Sequence, residues 1–216
     1  MTLVLLIRHG HTPTAGRILT GWMRGVHLSE RGRAQAEALV SRLEGVPLEA
    51  IYSSPLERCR ETAAPLARAR GLRVRVRRDL LEVNYGEWSG RSIRELARTK
   101  AWRAVQRTPS AVRFPGGETL PEVQARAMDA VRDIAEAHPD GVVALVTHAD
   151  VVRLALAGFL GAPLDLSQRL AIDPGSVSVV ALADAEVRVL RVNDTGDLSA
   201  LAQARPRRRT PRRVRG

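Results

Sequence analysis

With a single cysteine, Cys59, in 216 residues, this chain cannot close an intramolecular disulfide. That excludes the disulfide-stapled secreted scaffolds and fits a reducing compartment, with Cys59 itself read as a small buried residue and not a nucleophile. Aromatic residues make up only 3%, poor material for a surface that stacks nucleic-acid bases. No apolar run approaches the roughly 18 residues of a membrane span. The first such run, Leu3–Ile7, is also shorter than the roughly 7–15 residues of a signal peptide's apolar region, so the expectation is a cytoplasmic protein with no membrane partner. Lysine is almost missing: Lys100 is the only one, and the preference for arginine is therefore global and not a local binding signal.

The net charge of +11 shrinks once it is located. Residues 205–216 hold seven arginines and no acid, leaving about +4 for everything else. A segment so charged and so poor in apolar residues cannot bury enough surface to fold alone. The expected organisation is one domain over 1–195 followed by an Arg-rich, disordered tail over 196–216. Nucleic-acid binding through that tail is the non-enzymatic alternative, and the scarcity of aromatics weighs against it.

What is present is an alternation of strands and helices. Leu3–Ile7 and the run Gly141–Thr147 are continuous apolar stretches, as expected of strands buried on both faces. Ser29 can cap a helix over about 30–44, and Ala50–Ser53 reads as a short strand. Ser54-Pro55-Leu56-Glu57 combines an N-cap, a proline at the first helical position and a capping-box glutamate, predicting a helix from Pro55 to Arg70 with a kink at Pro65. Residues 73–77 alternate as a strand, 80–90 form an irregular loop, and helices are expected over 92–107 and 120–137, the second capped by Thr119 with Glu122. Asp150 is expected to cap a helix over 151–160. Val177–Ala183 and Val187–Val192 suggest a closing hairpin, whose exposed edge is compatible with a homodimer. The pattern predicts an α/β domain, a largely parallel sheet covered by helices on both faces.

Two buried strands therefore end in histidine, His9 and His148, and the carboxyl ends of central parallel strands lie side by side where open sheets hold their ligands. Arg8 precedes His9, and Arg58 opens the helix after the strand 50–53. Two guanidiniums beside two imidazoles suit a phosphoryl group and repel a divalent cation, so His11, although spaced as His-x-His, is not read as a metal ligand. Gly10 is read as a turn that lets the backbone approach a ligand. Either Glu82 or Glu87, in the loop holding Gly86, Trp88 and Gly90, could serve as a general acid, and spacing alone does not choose between them.

Five segments in order, Leu6-Ile7-Arg8-His9-Gly10, Ser53-Ser54-Pro55-Leu56-Glu57-Arg58, Leu81–Gly90, Pro115-Gly116-Gly117-Glu118-Thr119 and Val146-Thr147-His148, resemble the histidine phosphatase superfamily, also called phosphoglycerate mutase-like. The resemblance covers residues 3 to about 180. It implies a three-layer α/β/α sandwich with a six-stranded, mostly parallel mixed sheet, no metal and no other cofactor. It further implies His9 as the nucleophile that becomes phosphohistidine, Arg8, Arg58 and His148 around the phosphoryl oxygens, and Glu82 as proton donor; transition-state charge on those oxygens favours a protonated His148. The substrate class it implies is a small phosphorylated metabolite. Thr20-Gly21-Trp22 resembles the segment that approaches the substrate in relatives, making Thr20 and Gly21 candidate contacts together with Ala149.

The sequence also departs from the pattern. His11 replaces the glutamate of the common RHGET, Ala15 stands where relatives carry a phosphate-contacting asparagine, and Ala149-Asp150 replaces a Gly-Gly pair. Only about 65 residues separate Glu82 from His148, and Glu82 is not followed by the Arg-His-Tyr of glycolytic mutases. Hydrolysis is therefore preferred over the alternative, a phosphoglycerate mutase-type phosphomutase.

Overall fold

The computed structural model describes residues 1–183 and 186–196; of the tail expected over 196–216, all but Gly196 lies outside them. Six strands form one sheet: β1 (Thr2–Arg8), β2 (Ala50–Ser53), β3 (Val74–Val76), β4 (Val142–Thr147), β5 (Val177–Ala183) and β6 (Glu186–Asp194). Their order is β3-β2-β4-β1-β5-β6. β3, β2, β4 and β1 run parallel, whereas β5 and β6 are antiparallel to their neighbours, which makes the sheet mixed as the resemblance implied.

Alternating side chains of the buried strands feed two cores. Val4 and Leu6 of β1 face the cluster formed with α5 (Leu120–Glu136) and α6 (Ala149–Phe159), while Leu5 and Ile7 face the one formed with α1 (Glu30–Arg42) and α2 (Glu57–Arg70). This period of two, with both sets apolar, is why the strands read as unbroken hydrophobic runs. Helices on both faces give the α/β/α layering. Among the described residues no helix is long and apolar enough to cross a membrane.

Local chemistry explains most boundaries. Ser29 accepts from Gly32 N, and Thr119 and Glu122 form the reciprocal capping box at α5. The predicted helix over 92–107 is instead two, α3 (Ile93–Leu96) and α4 (Lys100–Arg107). Thr99 divides them: its hydroxyl donates to Leu96 O at 2.7 Å and accepts from Trp102 N at 3.1 Å, closing one helix and capping the next. The helix expected from Pro55 begins at Glu57, with Leu56 as N-cap and no side-chain cap, because the Ser54 hydroxyl is committed elsewhere.

Gly10 is required for packing. A Cβ there would lie 2.5 Å from Gly32 O, and one on Gly32 would lie 2.0 Å from His11 O. The strand-to-loop turn and the first turn of α1 cross with no side chain between them.

Candidate active site

β1 and β4 are parallel neighbours in a register that sets Arg8 opposite Thr147, so the residues after them, His9 and His148, leave the sheet side by side. His9 N donates to Thr147 O at 2.9 Å, and the two imidazole rings meet edge to face with centroids 5.3 Å apart. β2 lies on the other side of β4, with Ser53 level with Val146. This delivers Ser54 and Arg58 to the same edge.

The His9 ring is fixed by its own turn. Nδ1 lies 2.8 Å from Gly10 O, and since a carbonyl only accepts, Nδ1 carries the proton and Nε2 keeps the lone pair. Burial, then Arg58 and Arg8, hold His9 well below the usual histidine range, so the ring is neutral and nucleophilic near pH 7. Thr62 of α2 locks the turn, accepting from Gly10 N at 2.9 Å and donating to Arg58 O at 2.7 Å.

Arg58 is only 1% exposed. Its Nη2 donates to Gly21 O at 2.7 Å and its Nη1 to Met23 O at 3.4 Å. Gly21 thus serves through its carbonyl, aiming Arg58, and the loop over 8–28 is a brace for the guanidinium. Arg8 is anchored by Nη1 on Ile172 O. In both arginines the Nε–H is buried without a partner among the described residues. Two such donors in one site are a strong demand for an anion, because an unpaired buried donor is expensive.

His148 is completely buried, with Nε2 2.8 Å from Ser54 Oγ and 3.4 Å from Cys59 Sγ. Burial and the nearby Arg58 hold it well below its ordinary value, so the ring is neutral. The protonated His148 expected during phosphoryl transfer therefore has to gain its proton when an anion is beside it. Burial pushes the Cys59 thiol up to about 12, which keeps it an inert packing group. Ala149 opens α6, with His148 as N-cap. Thr20 lies in the same loop as Gly21, and its carbonyl accepts from Met23 N at 2.9 Å.

Burial separates the two candidate acids. Glu82 is 8% exposed, whereas Glu87 is on the surface. Desolvation first, and Asp150 second, raise Glu82 to about 7; Val83 N donates to its Oε1 at 3.1 Å. The residues that place it were not identified from sequence. Arg126 of α5 donates to the carbonyls of Asp79, Leu81 and Glu82 and pairs with Glu118. Glu118 also accepts from Asn84 N at 2.7 Å, and Trp22 Nε1 donates to Glu82 O at 2.6 Å. The segment Pro115–Thr119 is therefore a clamp on the Glu82 loop.

That clamp is closed by glycines. Gly86 has φ +51°, and a Cβ on it would lie 2.0 Å from Pro115 O. Gly86→Ala is expected to destabilise the fold by roughly 1–3 kcal/mol through overpacking and to lower kcat by displacing Glu82. Thermal unfolding and steady-state rates check both.

Asp150 is not the cap expected for the following helix. It sits within the first turn of α6, accepting from the Tyr85 hydroxyl and pairing with Arg153. His11 is occupied by Ser29 Oγ at 2.8 Å from its Nδ1 and by Gln35 at its backbone N–H. Among the described residues no group of three or more His, Cys, Asp or Glu is arranged to hold a metal ion.

Comparisons with known proteins give the family and the fold. The sequence profile of the histidine phosphatase superfamily (branch 1) matches residues 4–195. Phosphoserine phosphatase 1 of Hydrogenobacter thermophilus is 30% identical over 200 residues, covering 90% of this chain and 93% of that one. The structure of Bacillus stearothermophilus YhfR superposes with a TM-score of 0.84 at 31% identity, over 90% of this chain and 98% of that one. A mycobacterial glucosyl-3-phosphoglycerate phosphatase gives 0.80 at 27% identity, over 89% and 98%. With its motifs gathered at one sheet edge and its profile matched almost end to end, the chain belongs to the histidine phosphatase superfamily, branch 1.

Proposed function

We propose that this phosphatase hydrolyses a small phosphomonoester through a phosphohistidine on His9. The observation that carries the reading is the pair of buried, unpartnered guanidinium Nε–H groups of Arg8 and Arg58 beside a neutral His9 whose Nε2 lone pair is free. Phosphoryl transfer passes through a loose transition state with charge on three equatorial oxygens, so fixed donors contribute more than covalent assistance. Arg8 and Arg58 supply them, and His148 joins them, since a dianion beside it favours its protonated form.

His9 Nε2 attacks phosphorus, the P–O bond breaks, and the departing alkoxide takes the proton of Glu82. The Glu82 carboxylate then removes a proton from water, whose oxygen attacks the phosphohistidine. Inorganic phosphate leaves, and His9 and protonated Glu82 are regenerated. One carboxyl group serves both steps because burial sets its pKa near the working pH.

The pH profile follows from these two groups. The first step requires Glu82 protonated and His9 neutral. For alkyl phosphates kcat/KM is expected to fall as pH rises through about 7 and to persist well into the acidic range, because His9 sits well below its usual value. An optimum near pH 9 would contradict the assignment.

Hydrolysis and mutation of the phosphate position are separated by one incubation with 3-phosphoglycerate and catalytic 2,3-bisphosphoglycerate. Release of inorganic phosphate is the expected result; accumulation of 2-phosphoglycerate would establish a mutase.

A further inference from the structure

Asp150, one of the two residues that replace the Gly-Gly pair of relatives, takes no part in the reaction as written above. Its carboxylate nevertheless joins the two halves of the site. Oδ2 accepts from the Tyr85 hydroxyl, and Oδ1 accepts from Arg153 Nη1. Tyr85 lies three residues after Glu82 in the same loop. Arg153 carries the other connection: its Nε donates to Leu170 O at 3.0 Å, and two residues further on, Ile172 O is the carbonyl that anchors Arg8 Nη1.

Each link is held in place. The Tyr85 ring is buried edge to face against Phe114 with centroids 5.0 Å apart, which fixes where its hydroxyl points. Burial pushes that phenol well above its ordinary value, so it stays a donor at any working pH. The side chains of Asp150 and Arg153 are only 21% and 18% exposed, and a sheltered pair whose members are bonded further at both ends holds its geometry better than a solvent-exposed pair. The far side of the 170–173 segment is pinned where Asp173 N donates to Asn193 Oδ1 at 2.6 Å.

We infer that Asp150 is a positioning residue, holding the Glu82 loop through Tyr85 and the Arg8 guanidinium through Arg153 and residues 170–172, so that proton donor and phosphoryl-binding cation keep one fixed spacing. This rests on the roles proposed above for Glu82 and Arg8, and it adds Tyr85 and Arg153 as the arms through which Asp150 acts. Its charge reaches Glu82 as well. The charged and titratable groups acting on or with Glu82 are Asp150 of α6, Arg58 and Cys59 of α2, Arg8 of β1 and Tyr85 of its own loop. Of these, Asp150 is the one whose charge opposes ionisation of Glu82.

The test follows kcat/KM for methyl phosphate and p-nitrophenyl phosphate in the full-length protein, since only the alkyl ester needs a proton on the departing oxygen. Tyr85→Phe keeps the ring and deletes the hydroxyl. It is expected to lower kcat/KM for methyl phosphate about tenfold and to leave the aryl ester nearly unchanged, the scale of loss for a slightly misplaced catalytic group. Arg153→Met is expected to lower both esters alike and to raise the inhibition constant of inorganic phosphate about tenfold, because Arg8 loses its aim. Asp150→Asn is expected to move the high-pH fall of methyl phosphate turnover below the parent's value of about 7, a shift that general loosening of the fold does not produce. Equal losses on both esters in Tyr85→Phe, no loss at all, or a high-pH fall unmoved in Asp150→Asn would overturn the inference. Glu82→Gln in the same assay tells the two readings apart. If it separates the esters and Tyr85→Phe does not, the role of Asp150 alone falls; if it does not separate them, the acid role of Glu82 falls and takes the inference with it.

Discussion

His9→Ala is expected to abolish both turnover and covalent labelling by a phosphoester radiolabelled at phosphorus. Removing Nε2 removes the atom proposed to accept the phosphoryl group. The neighbouring imidazole does not replace it, since His148 Nε2 is held against Ser54 Oγ and Cys59 Sγ. Residues that act as a unit fail together, and deleting a covalent nucleophile lowers kcat by on the order of 10⁴–10⁶-fold even when the surrounding donors remain. The Arg8 and Arg58 donors do remain in the variant, so phosphate and vanadate should still bind. Quenched labelling, read in alkali where phosphohistidine survives, distinguishes lost chemistry from lost binding. Label on His9→Ala equal to that on the parent protein would remove His9 from the role.

Glu82→Gln is expected to separate substrates by leaving group. Alkyl phosphates need a proton on the departing oxygen, and losing that assistance should slow them by roughly 10²–10⁴-fold. Aryl phosphates leave without it, so they should still phosphorylate His9, giving a burst followed by slow dephosphorylation, because the second step loses its base. Full activity on alkyl phosphates would sink the assignment. The same substitution has a signature in stability. Glu82 ionises near 4.5 in the unfolded chain and at about 7 in the fold, so the folded state holds its proton more tightly. The native state therefore loses stability as pH rises from about 4.5 to 7, and the penalty is complete above 7. Glu82→Gln removes it. The variant should match the parent near pH 4 and exceed it at pH 8, by at most about 3 kcal/mol at about 1.4 kcal/mol per pKa unit. Urea titrations at the two pH values check the sign.

Much of this protein is legible without coordinates. β2 begins at Ala50 and ends at Ser53 as read, and α5 starts on the Thr119–Glu122 box, because period-two burial and capping depend on residues a few positions apart. The errors are equally informative. Ser54 and Asp150 both look like helix caps, since serine and aspartate commonly are. Each instead spends its side chain on a partner far along the chain, Ser54 on His148 and Asp150 on Tyr85. Local propensity yielded there to the site.

The sequence by itself determined that Arg8-His9 and His148 stand at the ends of buried strands and that Arg58 follows another, which suffices to suggest an anion site. Only the tertiary structure decided that β4 is inserted between β1 and β2, bringing those three strand ends onto one edge. It also set Glu82, which is buried, apart from Glu87, which is exposed. The reason is desolvation: a carboxyl group becomes an acid near neutral pH by being buried, and the loop that carries Glu82 is held in place by Arg126 of α5 and by Glu118, both far along the chain. Burial of that kind is a property of the packed molecule, and no spacing within the loop encodes it.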